Sequence, residues 1–471
     1  MSEGATGEGG APGRPGGERS QQGNDARATL RDLMPGVRAD LEALVRIPSV
    51  SADPARAQDV RRSAEETARL CREAGALHVA VLDDIEGGQP AVLARWPAPP
   101  GAPTVLLYAH HDVQPTGDLA AWSSPPFEPQ ERDGRLYGRG TADDKAGIAA
   151  HLAALRVFGG RPPVGVTLFV EGEEELGSPT LSAFIQRYRQ ELAADAIVLA
   201  DSLNFDVGIP ALTTGLRGLT DCVVEVATLE HGVHSGVYGG PAPDALTSLC
   251  RLLATLHDDL GDVAVKNLGR APDPQVDYPA ERFRAEASML SGVHLTGTGS
   301  IAERLWAKPA VSVLAIDATA VADVSNTLAP SARAVVSLRL PPGLDAVGAQ
   351  RMLMDHLRGN APWGVHVEVT AGATARPYAI DVQGPVYDAA RRAYREAYGR
   401  DLVSIGMGGS IPFVADFAEA FPAAAILTVS AGADPDSREH GTDESLHLGD
   451  FEKACLAETL LLTELAALDL T

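Results

Sequence analysis

The sequence predicts an α/β protein, a mostly parallel sheet covered by helices, with a separate α+β domain inserted into it. Three observations carry this. Apolar strand-like runs alternate with helical patterns between Val79 and Asp201, which implies parallel strands joined by crossover helices. Three of those runs end in histidine or acidic residues, as where an α/β sheet opens a crevice at its carboxyl edge. Near Leu212 the pattern changes to the strict alternation of half-buried antiparallel strands, and it reverts near Val382.

Residues 1–26 are rich in Gly, Ser and Glu, a composition that predicts a disordered tail. Leu30 to Ile47 and Arg56 to Ala76 have helical spacing, and Val79 to Leu82 reads as a strand. Ala91 to Trp96 and the strand at Val105 are expected to pair across the PAPPGAP turn. Helix Lys145–Phe158, strand Val166–Val170, helix Leu181–Leu192 and strand Ala196–Ala200 follow. In the inserted stretch LTDCVVEVAT alternates, and Val311–Ile316, Ala334–Leu340 and Val365–Val369 are further strands. Helices are expected at Ala245–Leu256 and Asp345–Leu357. Helices at Val386–Tyr398 and Pro412–Glu419, a strand at Ala424–Val429 and a terminal helix from Asp450 complete the chain. The expected domains are thus 27–211 and 376–471 for the α/β body and 212–375 for the insertion.

A length of 471 residues with 45% hydrophobic content can fill more than one core. The formal charge of -24 argues against nucleic acid or an anionic membrane as partner. The four cysteines are scattered without a CxxC, the pattern of buried thiols in a reducing cytoplasm rather than a disulfide framework or thiolate zinc site. No apolar run approaches membrane-spanning length and no signal-peptide plan opens the chain, so a soluble cytoplasmic protein is expected.

The chemistry gathers at strand ends and loops. VLLYAHHDVQP is a short apolar strand delivering His110 and Asp112, which share a face in extended chain while His111 points away. A histidine beside a carboxylate suits a metal ligand whose ring is held by a partner. Asp143 and Asp144, Glu173, Glu174 and Glu175, Asp201 and His440 complete the set. Oxygen and imidazole donors without thiolates suit catalytic Zn²⁺ or Mn²⁺. The set is too large for one cation and fits two, bridged by a carboxylate at roughly 3.5–4 Å separation. Singly, an acidic run is more often a solvated face, and Asp201 more often a helix cap. His111, Asp144 and Glu173 are read as solvated neighbours.

The segments AHHDVQP, YGRGTADDKAG, EGEEELGSP, LADS, HSGVYGG, GGSIPF and EHGTDE resemble, in that order, the two-zinc metallopeptidase family of carnosinase, aminoacylase and carboxypeptidase G. The resemblance runs from about Leu30 onward and is nearest to the carnosinase-like cytosolic dipeptidases. It implies an aminopeptidase-like catalytic domain with an inserted lid/dimerisation domain, hence a homodimer through the lid. It implies two divalent ions, Zn²⁺ foremost with Mn²⁺ or Co²⁺ as substitutes. His110, Asp143, Glu175, Asp201 and His440 would be the ligands, with Asp143 bridging. Asp112 would clamp His110, and Glu174 would be the general base. His234, from the lid, would stabilise the oxyanion, in the partner subunit's site if it acts in trans. Arg339, Gly409 and Ser410 would hold a substrate carboxylate. A cis peptide between Asp143 and Asp144 is also implied.

The implied reaction is hydrolysis of the amide bond of a dipeptide or short peptide, with a bridging hydroxide as nucleophile. The same centre would serve an N-acyl-amino-acid deacylase or carbamoyl hydrolase, and a catalytically silent binding protein is a third reading. Two departures bear on the substrate. Carnosinase-like members often carry Arg-Glu before GGS, where this chain has Gly406 and Met407, and usually Asn where it has Asp443.

Overall fold

The computed structural model describes residues 16–408 and 412–470. Its centre is a six-stranded sheet ordered His78–Leu82, Ala91–Trp96, Gly165–Glu171, Thr104–His110, Ala196–Leu199, Ala425–Thr428. The last four strands run parallel, and the first two are antiparallel additions at one edge. Both faces are buried, and alternate residues show it. Val105 and Leu107 pack with Leu41, Leu152 and Leu461 on one side. Leu106 and Tyr108 pack with Phe184, Phe413 and Phe417 on the other, where the Tyr108 ring stacks on Phe413 at 4.6 Å.

The expected pairing of Ala91–Trp96 with the Val105 strand does not form. Gly165–Glu171 lies between them, antiparallel to the first and parallel to the second. That strand is buried along its whole length, and a strand apolar on both faces belongs in a sheet interior. The hairpin partner of Ala91–Trp96 is His78–Leu82 instead.

The first helix runs Gly16–Val45, so residues 16–26 are helical where a disordered tail was expected; residues 1–15 lie outside the described residues. Once Leu30, Val37, Leu41 and Leu44 are docked in the core, each further turn costs little, because nucleation is already achieved. Arg27 anchors this stretch by donating to the Glu396 carbonyl. The expected helix Leu181–Leu192 is two, Leu181–Arg187 and Arg189–Leu192, parted at Tyr188.

Residues 218–375 build a four-stranded antiparallel sheet ordered Ala310–Asp317, Ser331–Leu340, Gly218–Ala227, His366–Ala375. Helices Ala245–Ala254 and Ala346–Gly359 cover one face, where Cys222, Val224, Val226, Val336 and Leu338 form a second core. Besides a two-stranded pairing of Val233–His234 with Thr327–Leu328, two small three-stranded sheets were not foreseen. Ala211–Leu216 joins Tyr378–Ala379 and Val403–Met407, and Arg135–Tyr137 joins Gln130–Arg132 and Ser445–His447. Their strands are two to six residues long, too short for a periodic pattern, yet those of the second sheet flank the loops that carry Asp143 and His440.

Candidate metal centre

Parallel register aligns the carboxyl ends of the central strands: His110 pairs with Glu171, and Tyr108 with both Phe169 and Leu199. The segments leaving those ends converge. His110 Nε2 lies 2.9 Å from Asp143 Oδ1 and 3.9 Å from Asp201 Oδ2. His440 Nε2 lies 3.0 Å from Asp143 Oδ2 and 3.2 Å from Glu175 Oε2. Two groups therefore form, His110–Asp143–Asp201 and Asp143–Glu175–His440, each with ligand atoms within 4.8 Å of one another. Asp143 belongs to both, one oxygen directed to each, and the peptide between Asp143 and Asp144 is cis.

Asp112 reaches further than a clamp on one ring. His110 Nδ1 faces the Asp112 carbonyl at 3.1 Å and its Oδ1 at 3.4 Å. The same carboxylate accepts from Ser51 Oγ at 2.6 Å and from the backbone N–H groups of Glu174 and Glu175, each at 3.2 Å. One side chain thus orients the imidazole and fixes the start of the 3-10 turn Glu174–Leu176. Glu175 is held in turn by Gln114, whose backbone N–H and side-chain amide donate to its two oxygens.

His111, Asp144 and Glu173 are not solvated; all three are buried. His111 Nε2 meets the Pro90 carbonyl at 2.8 Å, and burial pushes the ring down to about 4. Asp144 caps the Lys145–Val157 helix through Gly147 N–H and accepts from His110 N–H. Glu173 accepts from the backbone N–H groups of Gln89 and Thr180. Sequence shows the charge of such residues, but not whether water or a backbone N–H will satisfy it.

The electrostatics ask for cations. Burial, reinforced by Asp201, Asp143 and Glu175 against the opposing His110, pushes Glu174 up to about 9. Burial likewise raises Asp201 to about 7, with His110 opposing. The Asp143 and Glu175 carboxylates beside His440 raise its imidazole to about 11. Four carboxylates around two imidazoles leave negative charge that divalent ions would neutralise, and every donor is nitrogen or oxygen. The residues fit two such ions.

Of the remaining expected site residues that the structure describes, neither His234 nor Arg339 belongs to either ligand group. His234 is exposed in the short strand Val233–His234, and its Nδ1 accepts from Gly236 N–H at 3.0 Å. Arg339 is half-buried near the end of Ser331–Leu340. Gly409 and Ser410 lie outside the described residues.

Glu444 is one residue that sequence reading missed. Fully buried, it receives Arg139 Nη1 at 2.5 Å and the backbone N–H groups of Gly140, Ala142 and Asp143 at 3.0–3.2 Å. It grips the loop carrying Asp143 from the segment carrying His440. Its place four residues after His440 in EHGTDE was the available signal. Glu171, buried beneath the cluster with Tyr108 Oη at 2.7 Å and pushed up to about 8 by burial, was also passed over.

Gly406 and Asp443, two of the departures in sequence, each sit in a defined contact. A Cβ at Gly406 would meet Trp306 Cγ at 2.6 Å, so the indole of the inserted stretch occupies the space a side chain there would need. Asp443 ties two loops together, accepting from Ser123 N–H at 2.8 Å and Ser123 Oγ at 2.6 Å.

Residues 106–464 match the description of Peptidase family M20/M25/M40. The chain is 38% identical over 364 residues to a cysteinylglycine-S-conjugate dipeptidase of Corynebacterium striatum, covering 76% of this chain and 80% of that one. It is 27% identical over 383 residues to the Beta-Ala-His dipeptidase of Homo sapiens, covering 77% and 75% respectively. Its fold superposes on human carnosine dipeptidase 1 with a TM-score of 0.76 at 25% identity, over 95% of this chain and 99% of that one. The Saccharomyces cerevisiae di-peptidase Dug1p gives 0.74 at 21% identity, with the same coverage.

Proposed function

This chain belongs to peptidase family M20/M25/M40, and we propose, from that membership and its acidic cluster, a dipeptidase-type metallopeptidase that hydrolyses the amide bond of dipeptides or short peptides. The observation that carries the reading is Asp143, one carboxylate shared by two ligand groups. His110, Asp143 and Asp201 would hold one ion, and Asp143, Glu175 and His440 the other, Zn²⁺ suiting this donor set best with Mn²⁺ or Co²⁺ as substitutes. When bound, such ions polarise the scissile carbonyl and acidify the attacking water.

The proton work falls to Glu174. Its carboxylate is in neither ligand group and lies 4.0 Å from His110 Nε2, at the edge of the cluster. Buried among like charges, it holds a proton more firmly than an ordinary carboxylate. That suits a group that takes a proton from water and passes it to the leaving amine. Asp112 keeps His110 and the Glu174–Glu175 backbone in mutual register.

We assign the catalytic body to 27–211 and 376–471 and the lid to 212–375; the separate core of the inserted sheet supports this division. His234 would act on the oxyanion of the partner subunit's site, consistent with its exposure in the lid. Arg339, with Gly409 and Ser410, would recognise the substrate carboxylate. The Ala310–Asp317 strand supports a homodimer: it is a sheet edge exposing Val313, Leu314 and Ile316, with Val321 and Val324 beyond it. Unpaired edges with apolar side chains invite a second copy. The free state of all four cysteines agrees with a cytoplasmic location.

The test is a hydrolysis screen of protein loaded separately with Zn²⁺ and Mn²⁺, against dipeptides and N-acetyl-amino acids. Dipeptides should be cleaved in preference. Glu174→Gln should retain two equivalents of metal while turnover falls by about 10²–10⁴-fold, because an amide cannot accept the proton. Glu175→Gln should lose metal. Equal metal loss in both variants, or cleavage of N-acetyl-amino acids alone, would overturn the assignment.

A further inference from the structure

Arg217 is buried to 7% exposure, yet among the described residues its guanidinium meets no carboxylate. Among the described residues its Nε has no hydrogen-bond partner, and its one side-chain bond is a long one, from Nη2 to the Lys308 carbonyl at 3.4 Å. Arginine is seldom buried without an anion, because its charge loses hydration and gains nothing in return. Here the neighbouring charge makes matters worse. Burial, with Arg339 adding a like charge, pushes Arg217 down to about 10.

The sheet explains why the two cations meet. Arg339 pairs with Leu219 and Leu340 with Gly218, so Arg217 stands two residues before the partner of Arg339. Residues 217, 219 and 339 therefore share a face, with the two arginines in diagonal positions. That face is opposite the one on which Cys222, Val224, Val336 and Leu338 pack under the helices. Contacts from Arg217 lead towards the metal centre. Arg217 N–H donates to the Met407 carbonyl at 3.1 Å, Met407 Sδ lies 3.3 Å from Ser202 Oγ, and Ser202 follows Asp201.

We propose that Arg217 and Arg339 together form the seat of a carboxylate, with Arg217 a specificity-determining residue for the terminal carboxylate of the peptide substrate. The inference rests on the dipeptidase reading and on Arg339 facing substrate, and adds the buried partner. A carboxylate has about four lone-pair sites, enough to accept from two guanidinium forks at once. Its arrival would supply the anion that Arg217 lacks and relieve the repulsion between the two arginines. A substrate with an amidated terminus brings no such charge, so the seat would discriminate against it.

The test compares metal-loaded parent, Arg217→Gln and Arg217→Lys on a dipeptide and on the same dipeptide with its carboxylate amidated. Arg217→Gln should lower the dipeptide-to-amide preference in kcat/KM at least tenfold, chiefly through KM. Arg217→Lys should restore part of it, because charge returns without the fork. A second readout is independent of turnover. Acetate should raise the melting temperature of the parent and fail to raise that of Arg217→Gln. Should the glutamine variant not fold, Arg217→Lys and Arg339→Gln take its place, each with a reduced acetate response. Equal loss on both substrates, or an acetate response unchanged by substitution, would overturn the role of Arg217. Absence of dipeptide cleavage by the parent would instead overturn the dipeptidase reading, leaving the acetate response to decide on the arginine pair.

Discussion

Replacing Glu444 with glutamine probes how the Asp143 loop is held. The parent carboxylate is enclosed, with Oε1 accepting from Ala142 and Asp143 N–H, Oε2 from Arg139, and Gly140 N–H shared between them. Glutamine has the same shape but presents an NH₂ in place of one oxygen. In either orientation that group opposes donors, Arg139 on one side or the loop amides on the other. Arg139 is itself 1% exposed, so it would be left as an uncompensated buried charge. Breaking such a pair from one side costs about 3–5 kcal/mol, a large share of the 5–15 kcal/mol typical of a folded domain. The loop bearing Asp143 would also lose its restraint, and metal affinity should fall about 10–100-fold, as when partners behind a ligand are removed. Urea unfolding of metal-free protein measures the first effect and competition with a chelator the second. Adding Arg139→Met to Glu444→Gln should recover stability relative to the single change, because the stranded charge is gone. If Glu444→Gln unfolds within about 0.5 kcal/mol of the parent and binds both metals as tightly, the carboxylate is not what holds the loop.

Other expectations follow from particular contacts. His111 is held near 4 by burial, against about 6.5 in the unfolded chain. Its contribution is therefore complete above pH 6.5 and lost as pH falls to 4, roughly 3 kcal/mol in all. Metal-free His111→Gln should have a correspondingly shallower acid dependence of unfolding free energy, and an unchanged slope would exclude the assignment. Gly406→Ala should destabilise by about 1–3 kcal/mol because its Cβ meets the Trp306 ring. In urea unfolding, Trp306→Ala should remove that penalty, and strict additivity of the two changes would refute the contact. Leu314→Glu, at a position 65% exposed on the edge strand, should turn a dimer into monomer by light scattering; an unaltered mass would place the interface elsewhere.

The sequence alone determined most of what depends on local pattern and on ordered motifs. The strand Thr104–His110 was visible because four apolar residues precede two histidines. The antiparallel insertion was visible because Gly218–Ala227 alternates buried and more exposed residues along its length. The metal-ligand candidates were visible because each stands at the end of an element or in a polar loop, and the structure brings all five together. Tertiary structure decided the rest. Strand neighbours followed burial rather than chain order, so Gly165–Glu171 entered between Ala91–Trp96 and Thr104–His110. The fate of each charge also depended on what the fold set beside it. Glu173 and Asp144 found backbone donors, Glu444 found Arg139 and the Asp143 loop, and among the described residues Arg217 found no carboxylate but a second arginine. Periodicity reports which face of an element turns inward. A carboxylate's or guanidinium's partner lies tens or hundreds of residues away, and only folding brings it within hydrogen-bond reach.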